Sequence, residues 1–125
     1  MIDVLDEYTG EKTGEVISKN EAHSKGIWHG SIHVLIVNND KSKTLLQKRC
    51  AEKKLYPNTW DIAVGGHISA GETALLSAQR ELQEELGIDC RDFDMQAVDR
   101  IKEQLTNNGI ISNEYVTIYL EDYFE

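Results

Sequence analysis

Residues 66–88 read GHISAGETALLSAQRELQEELGI, and this stretch decides the fold that we predict for the chain. Three glutamates, Glu81, Glu84 and Glu85, follow one another at positions i, i+3 and i+4. Because an α-helix turns by about 100° per residue, these carboxylates would share an arc of roughly 100°. Apolar residues recur beside that arc at helical spacing: Leu75, Ala78, Leu82 and Leu86. We therefore predict an amphipathic helix that packs one face and presents clustered negative charge on the next.

Local signals mark both ends of this helix. Ser69 followed by Glu72 fits a capping box, and Thr73 is an alternative start. Gly87 is well placed to end the helix after Leu86, because glycine adopts the left-handed conformation that closes a helix.

The acidic face has two interpretations. It is either a solvated helix surface or a site for a divalent cation. Like charges at i, i+4 repel by a few tenths of a kcal/mol, and a bound cation would remove that conflict. Mg²⁺ fits best, because it takes oxygen ligands and commonly bridges carboxylates to a substrate's phosphates. Mn²⁺ is possible too, since it also accepts oxygen ligands.

The same stretch resembles the Nudix box, G-x5-E-x7-R-E-U-x-E-E-x-G-U, in which U is an aliphatic residue. All seven fixed positions match, and Leu82 and Ile88 fill both aliphatic positions. At average residue frequencies, a chance match is on the order of 10⁻⁹ per starting position. The resemblance implies an α/β (α+β) fold, an α/β/α sandwich with a mixed central sheet, as a single domain over residues 1–125. It also implies a hydrolase that splits a diphosphate joined to another group X, which is not readable from the sequence.

The resemblance also implies a role for each matching residue. Glu84 and Glu85 would be direct metal ligands, and the catalytic set would be Glu81, Glu85, Arg80 and Glu72. Glu81 would bind a metal, directly or through water, and would orient or deprotonate the attacking water. Glu72 would pair with Arg80 and hold the preceding loop against the helix.

A second resemblance covers most of residues 3–88, including TGEVISKNEAHSKGIWHGSIHVLIVN and YPNTWDIAVGGH. This order is similar to the isopentenyl diphosphate isomerase-like branch of the superfamily. It implies a further metal site formed by His23, His29, His67 and Glu114, although the gap between His23 and His29 is one residue shorter than in the isomerases. For each histidine alone, the alternative is a hydrogen-bonded structural role.

Three functions are compared. The isomerases use a cysteine in the strand before the box, where this chain has Gly65, and their box is degenerate, whereas this one is complete. A complete set of glutamates fits phosphorus chemistry, so we predict a hydrolase and keep the isomerase as the alternative. A catalytically silent nucleotide-binding module is the third reading, and the intact glutamates argue against it.

Composition argues against nucleic-acid and membrane partners, so we expect the binding partner to be a small-molecule substrate. The chain has a net charge of −9, which argues against binding to a nucleic-acid polymer. No apolar run approaches the length of a membrane span, and the first ten residues lack a signal pattern. Cys50 and Cys90 have no metal-ligand spacing and suggest reduced thiols, so we predict a cytoplasmic protein.

Six of the thirteen basic residues lie between positions 41 and 54. The usual explanation of such a run is a solvated surface. Because a phosphate-handling helix follows, we predict that Arg49 and either Lys53 or Lys54 bind the substrate's phosphates.

The remaining elements are predicted from periodicity and turn signals. We expect a hairpin near the N-terminus, a short helix from Ser18 to Gly26, a central strand over 32–37, and further strands over 44–49 and 60–64, the latter ended by Gly65 and Gly66. A last hairpin would pair 93–105 with 111–120. Because the usual C-terminal strand and helix of the sandwich do not follow, we expect either a truncated chain or a homodimer covering a bare sheet face. The aromatic end Tyr119, Tyr123 and Phe124 would suit such an interface, and a frayed terminus is the alternative.

Overall fold

A computed structural model describes residues 1–38, 42–44, 46–48, 52, 60–62, 64–87 and 95–124. Within this part of the chain there are eight strands and two helices. In order they are β1 (Ile2–Leu5), β2 (Lys12–Ile17), α1 (Lys19–Lys25), β3 (His29–Asn38), β4 (Leu46–Lys48), β5 (Trp60–Ile62), β6 (Val64–His67), α2 (Ala74–Leu86), β7 (Gln96–Asn107) and β8 (Ile110–Phe124).

The central element is a mixed four-stranded sheet with the order β6-β3-β8-β7. Strands β3 and β8 run parallel, with His29 opposite Glu114, whereas β3–β6 and β7–β8 are antiparallel. Two smaller sheets, β1–β2 and β4–β5, accompany it. The predicted α+β class and mixed central sheet are confirmed.

The two helices pack on opposite faces of this sheet. Alternate β3 residues Ile32, Val34 and Ile36 are buried in one cluster with Ala78 and Leu82 of α2. The intervening β3 residues face the other way, because side chains alternate along a strand. On that second face, α1 brings His23 next to His29, with a distance of 5.4 Å between their ring centroids.

The helix α2 begins and ends as the capping signals predict. Thr73 is the N-cap and accepts a hydrogen bond from the Leu76 N–H, so the alternative start is correct. Gly87 closes the helix with a φ of 69°.

The predicted apolar stripe of α2 is correct at its centre and wrong at its ends. Ala78 and Leu82 are buried, but Leu75 and Leu86 are 39% and 40% exposed. The buried face instead includes Ser77, which is fully inaccessible because it turns inward to donate a hydrogen bond to Glu72.

Strand β6 runs through two glycines that we expected to end it. Gly65 and Gly66 lie inside β6 and pair with His33 and Ile32 of β3. The close approach expected at this point is real, because Glu81 of α2 lies directly against Gly66. The glycine therefore makes room for a side chain and does not break the strand.

The short-range predictions hold elsewhere. Ser18 caps α1 and Gly26 ends it. Asn108 and Gly109 form the turn between β7 and β8, with φ values of 52° and 76°. One prediction fails near the C-terminus: Tyr119 is 5% exposed and belongs to the core, because it lies on the face that α2 covers. It is therefore not available for an interface.

No helix in the described ranges is both long enough and apolar enough to cross a membrane. The side chains of Tyr123 and Phe124 lie outside the described residues, as do Arg49, Lys53, Lys54, Cys50 and Cys90.

Candidate functional site

The loop before α2 is tied to the helix by an ion pair between Glu72 and Arg80. The Arg80 guanidinium donates to both Glu72 oxygens, from Nε at 3.1 Å and from Nη2 at 3.0 Å. Ser77 adds a third donor at 2.8 Å. The Arg80 hydrogen bonds are the main cause that lowers the pKa of Glu72 to about 2, although partial burial opposes them. Glu72 and Arg80 are thus charged at neutral pH and form the pairing that the sequence predicts.

Arg80 also contacts the acidic face of the helix. Its Nη1 donates to Glu81 at 2.9 Å and, more weakly, to Glu84 at 3.4 Å. The Glu81 side chain is 14% exposed, whereas that of Glu84 is 58% exposed. Glu85 is also exposed and lies on the same turn of α2. Two of the three carboxylates, Glu81 and Glu84, therefore share one guanidinium group, and Glu84 is the more exposed of the two.

The position of Glu81 is set by the edge strand of the sheet. A Cβ placed on Gly66 would lie 2.5 Å from the Glu81 carboxyl group. Arg80 reaches the same strand, where Nη2 lies 3.4 Å from the carbonyl oxygen of His67. Strand β6 thus contacts the acidic face of α2 through Glu81 and Arg80.

The N-terminal strand supports the loop that carries Glu72. The Gly71 N–H donates to Asp3 Oδ2 at 3.0 Å, and the Ala70 N–H donates to the Met1 carbonyl at 3.0 Å. The Gly71 hydrogen bond is the largest cause of a lowered pKa at Asp3. This support was not anticipated, because no local signal links residues nearly seventy positions apart.

On the opposite face of the sheet, three histidines and one glutamate converge. One potential ligand atom from each of His23, His29, His67 and Glu114 lies within 4.8 Å of the other three. Helix α1, β3, β6 and β8 each supply one of these residues. His29 is completely buried, and its Nδ1 lies 2.9 Å from the Ile27 carbonyl oxygen. That contact favours the tautomer in which Nδ1 carries the proton and Nε2 presents a lone pair.

The convergent nitrogens have no hydrogen-bond partner among the described residues. Nε2 of His23, His29 and His67 is buried in each case and unpaired. Leaving a buried polar atom unsatisfied costs about 1–3 kcal/mol. Three such atoms at one point indicate that a bound group completes the site.

Two distances within the cluster match those between neighbouring ligands of one metal ion. Glu114 Oε1 lies 3.3 Å from His29 Nε2 and 3.2 Å from His67 Nε2, without hydrogen-bond geometry. Ligands about 2.0–2.1 Å from a tetrahedral zinc ion lie about 3.3 Å from one another. The residues therefore fit a metal with nitrogen and oxygen ligands, whereas the acidic face of α2 offers oxygen ligands alone.

Ionisation also suits metal binding in this cluster. Burial is the largest cause that lowers the pKa of His23 to about 4, and the neighbouring His67 and His29 contribute to that shift, so this ring is neutral at neutral pH. Burial by itself would raise the pKa of Glu114, but His29, His67 and Ser112 outweigh it and hold the pKa well below its usual range. A neutral imidazole and an ionised carboxylate are the forms that bind metals.

Two buried serines complete the surroundings of Glu114 and were missed from the sequence. Ser31 Oγ donates to Oε2 at 2.8 Å, and Ser112 Oγ donates to Oε1 at 2.7 Å. The alternation of β8 places Ser112 and Glu114 on one face, and this is the only signal that the sequence offered for either serine.

The two clusters lie back to back across β6. Gly66 faces Glu81, whereas the next residue, His67, points to the opposite face and joins the histidines. The structure therefore brings together the predicted Glu72, Arg80, Glu81 and Glu84 on one face, and the predicted His23, His29, His67 and Glu114 on the other. Arg49, Lys53 and Lys54, predicted to bind phosphate, lie outside the described residues.

The mixed sheet, and the Glu72–Arg80 pair that ties the preceding loop to the acidic helix, are the features that the Nudix resemblance implies. The sequence matches the family of the NUDIX domain over residues 28–124, and the chain belongs to this family.

Curated relatives fall into both groups that the sequence suggested. The chain is 44% identical over 114 residues to Nudix hydrolase 3 of Arabidopsis thaliana, covering 90% of this chain and 15% of that protein. It is 35% identical over 119 residues to the isopentenyl-diphosphate Delta-isomerase of Pectobacterium atrosepticum, covering 95% of this chain and 62% of that protein. The chain thus spans less than two thirds of the length of these relatives.

A solved structure supports the fold. The crystal structure of DR0079 from Deinococcus radiodurans superposes with a TM-score of 0.75 at 19% identity, over 99% of this chain and 72% of that one.

Proposed function

We propose that this chain is a hydrolase of small-molecule diphosphates that depends on Mg²⁺ or Mn²⁺, with Glu81, Glu84 and Glu85 as the metal-binding residues. The observation that carries the proposal is that Arg80 contacts Glu72, Glu81 and Glu84, with Glu81 placed against β6. A single guanidinium neutralises only part of the negative charge of these carboxylates, so their oxygens are suited to bind divalent cations.

Each residue of this face has a distinct task in the proposed reaction. Divalent cations, when bound, offset the charge that develops on the phosphoryl oxygens. Arg80 holds Glu72 on one side and Glu81 on the other, so it fixes the loop relative to the helix. Glu81 is more enclosed than Glu72 and Glu84, and it orients the attacking water and accepts its proton. The water oxygen bonds to phosphorus, and the phosphorus–oxygen bond to the leaving group breaks.

Isomerisation of isopentenyl diphosphate is the second candidate, because a specific observation favours it. The cluster of His23, His29, His67 and Glu114 assembles as the isomerase-like resemblance implies. However, proton transfer at carbon in that branch relies on a cysteine, and Gly65 occupies the corresponding place in β6. We therefore assign the histidine cluster as a second, nitrogen-rich metal site in a hydrolase.

The decisive experiment is ³¹P NMR of the protein with Mg²⁺ and a panel of diphosphates that includes isopentenyl diphosphate. We expect cleavage of a diphosphate bond in at least one compound, and loss of that cleavage in Glu85→Gln. The matched control is Glu15→Gln, which removes an exposed carboxylate of β2 and should leave cleavage unchanged. Conversion of isopentenyl diphosphate to its allylic isomer, with both phosphates retained, would favour the second candidate.

A further inference from the structure

The Glu114 carboxylate is held by two serine hydroxyls, one on each oxygen. Ser31 in β3 binds Oε2, and Ser112 in β8 binds Oε1. Both serines are almost inaccessible to solvent, at 3% and 2% exposure. A buried hydroxyl group needs a partner, and here each takes the same carboxylate, which is itself largely enclosed with a side-chain exposure of 12%.

The two oxygens of Glu114 are not equivalent toward the histidines. Oε1 lies 3.3 Å from His29 Nε2 and 3.2 Å from His67 Nε2. Oε2 is the oxygen that Ser31 engages. Oε1 therefore faces the point at which the histidine nitrogens converge, whereas the hydrogen bond to Ser31 keeps Oε2 turned away from it.

We propose that Ser31 and Ser112 are positioning residues that present Glu114 to a metal ion through one oxygen. As a result, the cluster selects four-coordinate ions such as Zn²⁺ and Co²⁺ over Mn²⁺ and Mg²⁺. The proposal rests on the assignment of the histidine cluster as a metal site. With one carboxylate oxygen and three imidazoles, the protein supplies four ligands, which is the number that tetrahedral zinc takes. A carboxylate free to bind through both oxygens would raise the coordination number and favour larger oxygen-seeking ions.

A purely structural role for the serines predicts something different. If the hydroxyls serve only to satisfy a buried carboxylate, then Ser→Ala changes would lower the stability of the metal-free protein and leave the geometry of a bound metal unchanged. If they position the ligand, then the visible spectrum of bound Co²⁺ changes, because tetrahedral cobalt absorbs strongly and six-coordinate cobalt weakly.

The test uses the full chain, freed of metal by chelation and titrated with Co²⁺, Zn²⁺ and Mn²⁺. We expect the unmodified protein to give an intense cobalt band. Ser31→Ala should weaken that band several-fold, because Oε2 is released to bind the metal. In Ser112→Ala and in Ser31→Ala, Zn²⁺ affinity should fall by about 10- to 100-fold, which is the usual loss when the partner of a metal ligand is removed. In Ser31→Ala, Mn²⁺ affinity should fall less than Zn²⁺ affinity.

Ser77→Ala is the matched control. Ser77 is equally buried and also donates to a glutamate, but to Glu72 on the other face of the sheet. It should leave the cobalt spectrum unchanged. X-ray absorption of the unmodified zinc-loaded protein provides a second measurement that does not depend on variants, with four ligands expected.

The possible outcomes separate this inference from the proposals on which it rests. Variants that keep the band and the Zn²⁺ affinity within twofold would overturn the positioning role while leaving the metal site intact. A zinc ion with five or six ligands in the unmodified protein would also overturn it. Absence of any cobalt binding would refute the metal site itself, and the hydrolase proposal would still stand or fall on the ³¹P NMR result.

Discussion

Replacing Gly66 by alanine should separate catalysis from stability in this protein. The added Cβ would lie 2.5 Å from the Glu81 carboxyl carbon and from Oε1, and ordinary contact begins at 3.4 Å. The carboxyl group must therefore move by 3.4 − 2.5 = 0.9 Å or more. A displacement of about 1 Å in a catalytic group can cost about 100-fold in rate, which corresponds to about 2.7 kcal/mol in the barrier.

The stability of the same variant should change little. The atoms that collide with the new methyl group are at the flexible end of Glu81, and the φ of Gly66 lies outside the left-handed region. Replacing glycine at a compatible position stabilises by about 0.4–1 kcal/mol through the unfolded chain, which offsets part of the cost of moving Glu81. We expect a free energy of unfolding within about 1 kcal/mol of the original, measured by urea denaturation, and a kcat about 100-fold lower on a cleaved diphosphate.

A double-mutant cycle shows whether the loss acts through Glu81. If it does, Gly66→Ala combined with Glu81→Gln should be no slower than Glu81→Gln alone, because both changes disable the same group. Additive losses would refute this reasoning, and so would a Gly66→Ala enzyme whose kcat is within threefold of the original.

Three further predictions concern charge, backbone and metal. The folded pKa of Glu72, about 2, is below its unfolded value, so the stability from this group is present above about pH 4.3 and is lost as the pH falls toward 2. Glu72→Gln should therefore lower the free energy of unfolding at pH 6, and the difference from the original protein should shrink as the pH approaches 2. Parallel curves of unfolding free energy against pH would contradict the pairing. Gly10 has a φ of 72° and lies against Arg100 and Tyr115, so Gly10→Ala should destabilise by about 1–3 kcal/mol in urea unfolding without changing Co²⁺ affinity. Zn²⁺ at 100 times its dissociation constant should stabilise the metal-free protein by about 2.7 kcal/mol in urea unfolding. His23→Gln should sharply reduce this stabilisation, and equal stabilisation in that variant would contradict zinc binding by the cluster.

The two clusters differ in the metals they would prefer, and β6 joins them. Gly66 faces the carboxylates and His67 faces the nitrogen-rich site, so neighbouring residues of one short strand serve both. The main-chain oxygen of His67 also lies near Arg80. A change in β6 should therefore be assayed for both phosphate chemistry and metal binding.

Much of the fold was predictable where the decisive interactions are local. Ser18 and Gly26 bound α1 because caps satisfy the free groups at helix ends within a few residues. Asn108 and Gly109 form the hairpin turn because both tolerate positive φ. The Nudix box likewise identified Glu72, Arg80 and the acidic face, since these residues lie within about two turns of one helix and the loop before it.

The remaining features depend on contacts between distant segments. Periodicity placed Leu75 and Leu86 in the buried stripe, but the sheet covers only the middle of α2, which a helical pattern cannot reveal. Tyr119 sits in the core because β8 lies parallel to β3, and this pairing joins residues more than eighty positions apart.

The sequence by itself determined the family, the acidic helix and the types of residue able to bind a metal. The isomerase-like resemblance also predicted that His23, His29, His67 and Glu114 form one group. Only the tertiary structure decided that the histidine nitrogens have no other partner in the described part of the chain, and that Ser31 and Ser112 hold the Glu114 carboxylate. The physical reason is that helix turns and caps are set by neighbours in the chain, whereas a cluster of side chains from four separate elements is set by strand register and by which face of the sheet each side chain occupies.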